Sequence, residues 1–238
     1  MKTLFICICC ALFLGAHAQT TTTKTFPAQP GQQINLKFDY PIVKVSTWDK
    51  NEVSVISHVN INDDENDSLF MLKQEVMDGE MYISDHIKNM ESIPRRYTIY
   101  RNGQKMVFKS KEQFREEERK GGVERSYESN DFDIVLEIKI PAGCKTKINA
   151  VYGMVELTNF DAPVTVDATY GGIDATLAPA HVGSLKATTH YGQIYTNLDL
   201  KITDHDQHDF YNSFTAEPGT GPSYSFTSPY GKIYLRKP

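Results

Sequence analysis

The densest set of potential metal ligands in the sequence is the segment from residue 204 to residue 209. It contains two histidines and three aspartates: Asp204, His205, Asp206, His208 and Asp209. Imidazole and carboxylate groups bind divalent transition metals. The two histidines are three positions apart in a segment without helical periodicity, so the sequence does not hold them on one face. A solvated loop is therefore the main interpretation, and a metal site at His205, His208, Asp204 and Asp206 stays the alternative.

A second run of oxygen ligands is Asn62-Asp63-Asp64-Glu65-Asn66-Asp67, which has a composition that suits calcium. The run lacks the central glycine and the terminal glutamate of a helix-loop-helix calcium loop, and no helical pattern flanks it. We interpret it as an exposed connection between two strands, with a calcium site as the alternative.

Motifs of known catalytic chemistry are absent from the sequence. It has no Gly-x-Ser-x-Gly elbow, His-Glu-x-x-His pair, phosphate loop or dinucleotide fingerprint, so we expect no catalytic residue and no cofactor. Polysaccharide-cleaving β-helices use scattered carboxylates. Glu156, Asp167 and Asp174 are of that kind, although an outward-facing, solubilising role explains them more simply. We interpret Cys144 as a small residue at the start of a strand.

The first 18 residues have the pattern of a secretory signal peptide. Lys2 precedes an apolar stretch from residue 4 to residue 15, and Ala16-His17-Ala18 places small residues at the cleavage site. The pattern predicts export to the periplasm, the outer membrane or the outside of the cell. The whole chain of 238 residues has a net charge of -5, which argues against general nucleic-acid binding. We also expect no transmembrane segment in the mature chain, because no later apolar run is long enough.

Tyr-Gly pairs recur in the C-terminal half at spacings of 18, 21 and 39 residues: Tyr152-Gly153, Tyr170-Gly171, Tyr191-Gly192 and Tyr230-Gly231. Tyr211-Asn212 divides the longest spacing into 20 and 19 residues, and Tyr40-Pro41 has the same flanking pattern near the N-terminus. A period of about 20 residues is typical of stacked repeats. The sequence therefore predicts six units, with successive units lying on top of one another.

Apolar or small residues alternate with polar ones on both sides of each tyrosine. In the first two Tyr-Gly units they are Ile148, Ala150, Val155 and Leu157, and then Val166, Ala168, Ile173 and Ala175. Alternation of this kind predicts strands, and the change of parity at the glycine predicts a bend. Each unit is thus predicted to consist of two short strands that meet at a Tyr-Gly corner.

The aligned tyrosines allow two interpretations. Rings at inward positions would stack and fill the core, whereas an outward row would offer anchors to a sugar or a protein. We take the core-filling role as the main expectation and the recognition surface as the alternative.

The segment between the first unit and the others predicts hairpins. Asp78-Gly79 and Asn102-Gly103 are two-residue turns between apolar runs. The stretch from residue 132 to residue 140 alternates like a strand with one buried face, and residues 109–120 suit one short, solvated helix. Residues 91–128 hold ten Lys or Arg against seven acidic residues. We interpret this mixture as a solvated face, with an anion or partner contact as the alternative.

The run Ile138-Lys-Ile-Pro-Ala-Gly143, the corner segments 152–157 and 170–175, and the opening segment 26–59 together resemble the bacterial "putative adhesin" family of β-strand-repeat domains. The likeness covers most of the mature chain except the charged insertion from about residue 86 to residue 130. The resemblance implies an exported protein with an envelope or surface role and no established enzymatic activity.

These observations together predict an all-β fold. We expect a solenoid-like stack of short strands with Tyr-Gly corners, antiparallel hairpins in the N-terminal half and little helix. After the signal peptide, residues 19–238 would form one domain with an insertion over 86–130 and the most regular repeats over 131–238. The predicted function is a non-enzymatic, adhesin-like module that binds a protein or glycan at the cell envelope. A carbohydrate-active β-solenoid enzyme and a periplasmic metal-binding or stress accessory protein are the alternatives.

Overall fold

The structure, a computed structural model, describes residues 20–238, so the predicted signal peptide over residues 1–18 lies outside the described residues. The regular structure of this part of the chain is almost entirely β, which confirms the prediction of an all-β protein with hairpins and little helix. The first ten strands are β1 (Thr20–Pro27), β2 (Ile34–Phe38), β3 (Ile42–Trp48), β4 (Glu52–Ile61), β5 (Phe70–Met77), β6 (Glu80–Ile87), β7 (Arg96–Arg101), β8 (Gln104–Phe108), β9 (Arg125–Ser129) and β10 (Phe132–Pro141).

The remaining strands are β11 (Thr146–Ala150), β12 (Val155–Leu157), β13 (Val164–Ala168), β14 (Ile173–Thr176), β15 (Ser184–Thr189), β16 (Ile194–Thr196), β17 (Ile202–His208), β18 (Tyr211–Ala216), β19 (Ser223–Ser228) and β20 (Ile233–Arg236). One α-helix, α1 (Lys111–Arg119), and three short 3-10 turns (Asp67–Leu69, Met90–Ser92 and Pro179–His181) complete the elements described between residues 20 and 238. None of these helices is long and apolar enough to cross a membrane.

The strands form two large mixed sheets and one small sheet. The first sheet has the order β1-β4-β10-β3-β12-β14-β20-β16, and the second has the order β17-β18-β15-β19-β13-β11-β2-β6-β5. The central strands of both sheets are parallel. The outer strands pair antiparallel, except β16, which is parallel to β20. The small sheet, β8-β7-β9, is antiparallel and belongs to the charged insertion.

Five units of the chain run from the second sheet to the first through a tyrosine corner. They are β2/β3, β11/β12, β13/β14, β15/β16 and β19/β20. Parallel registers place equivalent apolar residues side by side, as in Leu36, Ile148 and Val166 of the second sheet and Val43, Val155 and Ile173 of the first. All six are fully buried between the sheets, so the predicted apolar pattern is confirmed. Burial contributes about 1.5–3 kcal/mol for each such side chain.

The order of the units in space differs from their order in the chain. The last unit, β19/β20, lies between the third and the fourth, because β19 pairs with both β13 and β15 and β20 pairs with both β14 and β16. The expectation that successive units stack in sequence order is therefore wrong for the last unit. In the second sheet, the registers place Phe226 of the last unit beside Val166 on one side and Ala187 on the other.

Tyr211-Asn212 is not a corner, which corrects the prediction of a sixth unit. β18, which begins at Tyr211, is antiparallel to β15 and forms a hairpin with β17. The physical reason lies in β17, whose seven residues are all exposed. A strand without a buried face cannot line the core of a parallel unit, so it pairs as the edge of the sheet.

The hairpins and the helix lie where the sequence predicts them. Asp78-Gly79 and Asn102-Gly103 join β5 to β6 and β7 to β8 with positive φ at both turn residues of each pair. The helix α1 falls within the predicted range, and the Ser110 side chain caps it by accepting a hydrogen bond from the Gln113 amide at 3.3 Å.

Candidate functional site

The corners repeat because their backbones touch. A Cβ added at Gly153, Gly171, Gly231 or Gly192 would lie 1.6, 2.0, 1.5 or 1.8 Å, respectively, from a backbone carbonyl oxygen of the neighbouring corner. No side chain fits at such distances, so glycine follows the tyrosine wherever one corner packs against another.

The unit with Tyr40-Pro41 shows why one corner can do without glycine. Gly153 packs against the carbonyl of Pro41, which makes Pro41 the first corner of the series. On its other side, β2 and β3 pair with β6 and β10, which no tyrosine corner joins. The backbone at Pro41 is therefore not approached by a preceding corner, and a proline ring is tolerated there.

The five corner tyrosines form one continuous stack, which we call the tyrosine row. In spatial order the row is Tyr40, Tyr152, Tyr170, Tyr230 and Tyr191. Neighbouring ring centroids are 5.4, 5.4, 5.1 and 5.2 Å apart, with interplanar angles of 19°, 11°, 15° and 3°. The strand spacing of about 4.8 Å sets this distance, since each ring is attached to an adjacent strand end.

The tyrosine row is exposed, so the expectation that its rings fill the core is wrong. Tyr152, Tyr170, Tyr191 and Tyr230 are 57%, 55%, 62% and 53% exposed, and Tyr40 is half-buried. In the first strand of each unit, every second side chain faces the core, and this alternation ends at residues such as Ala168. The chain then bends before the tyrosine. The period of two does not continue through the bend, and the ring turns outward.

Two phenylalanines extend the row at its ends, and the sequence pattern does not reveal either. Phe132 packs on Tyr40 at 4.9 Å with an angle of 52°, and Phe210 packs on Tyr191 at 5.3 Å with an angle of 31°. Phe210 is 69% exposed. It lies outside the repeat, at the β17–β18 turn, so periodicity gives no signal for it.

A cleft of about 560 Å³ opens at the Phe132 end of the row, between the stacked units and the insertion. Tyr40, Tyr152, Phe132, Met90 and Arg95 are among the residues that line it. The hydroxyl of Tyr40 points to the sulfur of Met90 at 3.6 Å. Burial is the main cause that raises the pKa of Tyr40, and the neighbouring Tyr152 is the second, so this phenol stays neutral.

Asp85 holds the backbone of the first corner. Its carboxylate accepts a hydrogen bond from the Asp39 amide at 3.1 Å, immediately before Tyr40. Burial raises the pKa of Asp85 to about 6, although hydrogen bonds from the backbone act in the opposite direction. Asp85 is not among the residues that line the cleft, and its contacts are those of a structural group.

The candidate metal ligands lie on the edge strand β17. His205 and His208 are an odd number of positions apart in a regular antiparallel register, so they face opposite sides of the sheet. His208 Nδ1 lies 3.1 Å from Asp206 Oδ1. Within residues 20–238, no group of three or more His, Cys, Asp or Glu side chains is placed to hold a metal ion.

The acidic run from residue 62 to residue 67 is a turn that binds the insertion. Asn62, Asp63 and Asp64 all have positive φ. Asp67 is buried, and its Oδ1 accepts a hydrogen bond from the Ile61 amide at 2.7 Å. Glu65 is bonded to both Arg96 and Lys109. These carboxylates are therefore engaged with the protein.

Many of the positive charges in residues 91–128 are also paired within the chain. The pairs are Arg95–Glu128, Arg96–Glu65, Arg101–Glu117, Lys105–Asp131, Lys109–Glu65 and Lys120–Glu117. Arg125 lies over the rings of Tyr100 and Tyr127. Arg96 is buried and Arg101 is partly buried in these pairs, whereas Arg95, Lys109 and Lys120 stay more than 60% exposed.

The scattered carboxylates do not converge on a cleft. Glu156 and Asp174 are neighbours across β12 and β14, where they pair with Lys44 at 3.9 Å and Arg236 at 2.8 Å. Asp167 lies on the other sheet. Cys144 is buried just before β11, and burial raises the pKa of its thiol.

Comparison with known proteins finds similarity only to solved structures, at low sequence identity. No family model matches the chain, and no curated protein matches it. Similar solved structures include a putative cell adhesion protein from Clostridium sporogenes, at 11% identity over 92% of this chain and 100% of that one, with a TM-score of 0.48. A putative adhesin from Parabacteroides distasonis (12% identity, 67% and 60% coverage, TM-score 0.27) and one from Bacteroides fragilis (9%, 93% and 99%, TM-score 0.25) are also similar. The last two carry the same words, putative adhesin, as the family that the sequence resembles.

Proposed function

We propose that this protein is a non-enzymatic, adhesin-like recognition module that binds a protein partner at the cell envelope through the tyrosine row. The observation that carries the proposal is the exposure of four stacked tyrosines, each more than half accessible, along one edge of the molecule. Tyrosine is enriched among the residues that dominate the free energy of protein–protein binding.

The rings of the row contact one another without a partner. The corner backbones are in contact, and each ring is packed against its neighbours at 5.1–5.4 Å. Side chains that are already ordered lose little conformational entropy on binding, which favours affinity. A solenoid-like arrangement of the units would display the row as a continuous ridge, and the predicted signal peptide would deliver it to the envelope or the cell surface.

The geometry of the rings favours a protein over a sugar at this ridge. A sugar stacks on an open aromatic face, but the faces within the row are covered by the adjacent rings. Because the faces pack against one another, we expect ring edges and hydroxyl groups to make the contacts with a partner. These groups suit the mixture of apolar and hydrogen-bonding contacts at the centre of a protein interface.

Binding of the labelled mature chain, residues 19–238, to isolated bacterial envelopes tests this proposal. The triple variant Tyr152→Ser, Tyr170→Ser, Tyr230→Ser is expected to bind at least about tenfold more weakly. The matched control is Tyr195→Ser with Tyr234→Ser. These two tyrosines also stack, at 5.2 Å, but they lie on β16 and β20 of the first sheet. The control is expected to bind like the wild type.

Treatment of the envelopes distinguishes the partner classes. Protease should abolish binding, whereas periodate oxidation of glycans should leave it unchanged. Equal binding by the triple variant, with its melting temperature preserved, would overturn the role of the row. Release of reducing sugar from envelope polysaccharide by the purified protein would contradict the non-enzymatic assignment.

A further inference from the structure

A second concave surface lies on the outer face of the second sheet, on strands β2, β5, β6 and β11. Alternate residues of β2 and β6, such as Ile34 and Met81, face the core, so their neighbours Asn35 and Tyr82 face outward as a pair. These outward side chains enclose a groove of about 500 Å³. We call it the Glu80 groove, and it contains none of the corner tyrosines.

Glu80 organises the floor of the groove. Its Oε2 atom accepts hydrogen bonds from Gln33 Nε2 at 2.9 Å, Asn35 Nδ2 at 2.9 Å and Tyr82 OH at 3.0 Å. Gln33 Nε2 also donates to Asn35 Oδ1 at 3.1 Å, which fixes both amides. All three donors bond to Oε2, and within the described residues the other oxygen, Oε1, has no hydrogen-bond partner. That atom can accept a hydrogen bond from a bound molecule.

Tyr82 supplies an aromatic surface in a fixed orientation. Its hydroxyl is held by Glu80, and this hydrogen bond raises the pKa of Tyr82, so the phenol keeps its proton. In the part of the chain that the structure describes, no other aromatic ring stacks on Tyr82, in contrast to the rings of the tyrosine row. Met77, which is 47% exposed, adds apolar surface to the same groove.

The formal charges around the groove balance. Lys37 and Lys147 line it together with Glu75 and Glu80. Neither an anion nor a cation is favoured by such a set. A ligand with many neutral hydroxyl groups fits better, because each hydroxyl can donate to a carboxylate and accept from a lysine or an amide.

We propose that the Glu80 groove binds a neutral oligosaccharide. The sugar hydroxyls would bond to Glu80 Oε1 and to the amides of Gln33 and Asn35, and the apolar face of one sugar ring would pack on Tyr82. Pockets of about 300–1,000 Å³ with a few oriented polar groups are typical of small-ligand sites. The site is separate from the tyrosine row and does not depend on the protein partner proposed for that row.

Calorimetric titration of the mature chain with cello-, chito-, malto- and mannohexaose tests the inference. At least one of these probes is expected to bind, with little change between low and high salt, because the ligand is uncharged. Glu80→Gln should weaken that binding about tenfold to a hundredfold, since the acceptor in the floor of the groove loses its charge. Tyr82→Ala should have a similar effect through loss of the ring.

Glu137→Gln is the matched control, because it removes the same charge from a half-exposed glutamate on the first sheet. It should bind the probe like the wild type. The inference is overturned if no neutral probe binds at millimolar concentration, or if both groove variants bind like the wild type. Preference for oligogalacturonate over the neutral probes would also overturn it. Loss of oligosaccharide binding in the triple tyrosine variant alone would move the sugar to the row and contradict both proposals.

Discussion

The stack of tyrosine-cornered units and the insertion formed by β7, β8, β9 and α1 are held in place by different contacts. In the stack, glycine backbones touch and apolar side chains fill the space between the sheets. In the insertion, a buried polar group makes the connection to the rest of the protein. Arg96, only 3% exposed, donates to the carbonyl of Asn62 at 3.1 Å and to Glu65 at 2.6 Å.

Asn62 completes this polar anchor from the other side. Its side chain is fully buried, donates to the carbonyl of Pro94 at 2.6 Å and accepts from the Asp131 amide at 3.0 Å. The stack therefore depends on the same corner contact and the same apolar packing repeated in each unit. The insertion depends on a few specific hydrogen bonds. We expect a substitution in the stack to affect global stability and one at the anchor to act locally.

Gly171→Ala is expected to have the largest effect on stability. The new methyl group would meet the carbonyl oxygen of Gly153 at 2.0 Å, and the backbone on both sides is fixed by neighbouring strands. We expect a loss of about 3–5 kcal/mol in the free energy of unfolding, or failure to fold. Urea unfolding followed by circular dichroism measures it.

Gly103→Ala is the matched control in the insertion. This glycine has a φ of +72° but nothing within 4 Å of an added Cβ, so the substitution should cost only about 1 kcal/mol of backbone strain. Equal losses in the free energy of unfolding for the two variants would show that the close approach of the corner backbones does not stabilise the stack.

The two regions also differ in how much of their structure the sequence predicts. Alternation of apolar residues such as Ile148 and Val166 identifies the inner faces, because the pattern within one strand is enough to show which of its residues are buried. The position of the last unit could not be predicted, since the alternation shows which residues face inward but not which strands are neighbours. The anchor at Asn62 and Arg96 was also missed, because single contacts between distant residues leave no periodic signal.

Asn62→Ala is expected to have the next largest effect and to confine it to the insertion. The substitution leaves the Pro94 carbonyl and the Asp131 amide without their partner, at a cost of about 2–3 kcal/mol. Hydrogen exchange monitored by mass spectrometry should become faster over residues 90–131 and stay unchanged over residues 146–176.

Asn102→Ala is the matched control for strain. Asn102 also has a positive φ, of 51°, but it is exposed in a hairpin turn. Its substitution should change exchange only near the turn. Faster exchange throughout the stack in Asn62→Ala would mean that the two regions unfold as one unit.

The candidate sites were harder to predict than the fold, for a physical reason. The tyrosine row was visible as a repeat, but its exposure depends on a bend that ends the alternation at residues such as Ala168. The Glu80 groove combines residues near positions 35, 80 and 147, and only strand pairing brings them together. A polar cluster of this kind has no local pattern.

Acid should act oppositely on carboxylates of the two regions. In the insertion, hydrogen bonds from Lys120 and then Arg101 lower the pKa of Glu117, so its contribution to stability is present above its ordinary range and lost as the pH falls. At the end of the stack, on β6, burial raises the pKa of Asp85, which contacts the first corner, from 3.8 to about 6. Folded Asp85 thus binds its proton more tightly than the unfolded chain does.

Asp85→Asn sharpens this difference and has the smallest expected effect. Because the folded pKa is the higher one, ionisation of Asp85 makes the wild type lose stability as the pH rises from about 4 to about 6. The shift corresponds to about 3 kcal/mol at most, and partial exposure reduces it to about 1–2 kcal/mol. The variant does not ionise, and its amide oxygen can still accept from the Asp39 amide. The free energy of unfolding of the variant minus that of the wild type should therefore be larger at pH 7.5 than at pH 4. Urea unfolding at the two pH values measures the difference, with Asp133→Asn on the outer face of β10 as the control. The same pH dependence in Asp85→Asn and the wild type would show that the pKa of Asp85 is not raised by folding.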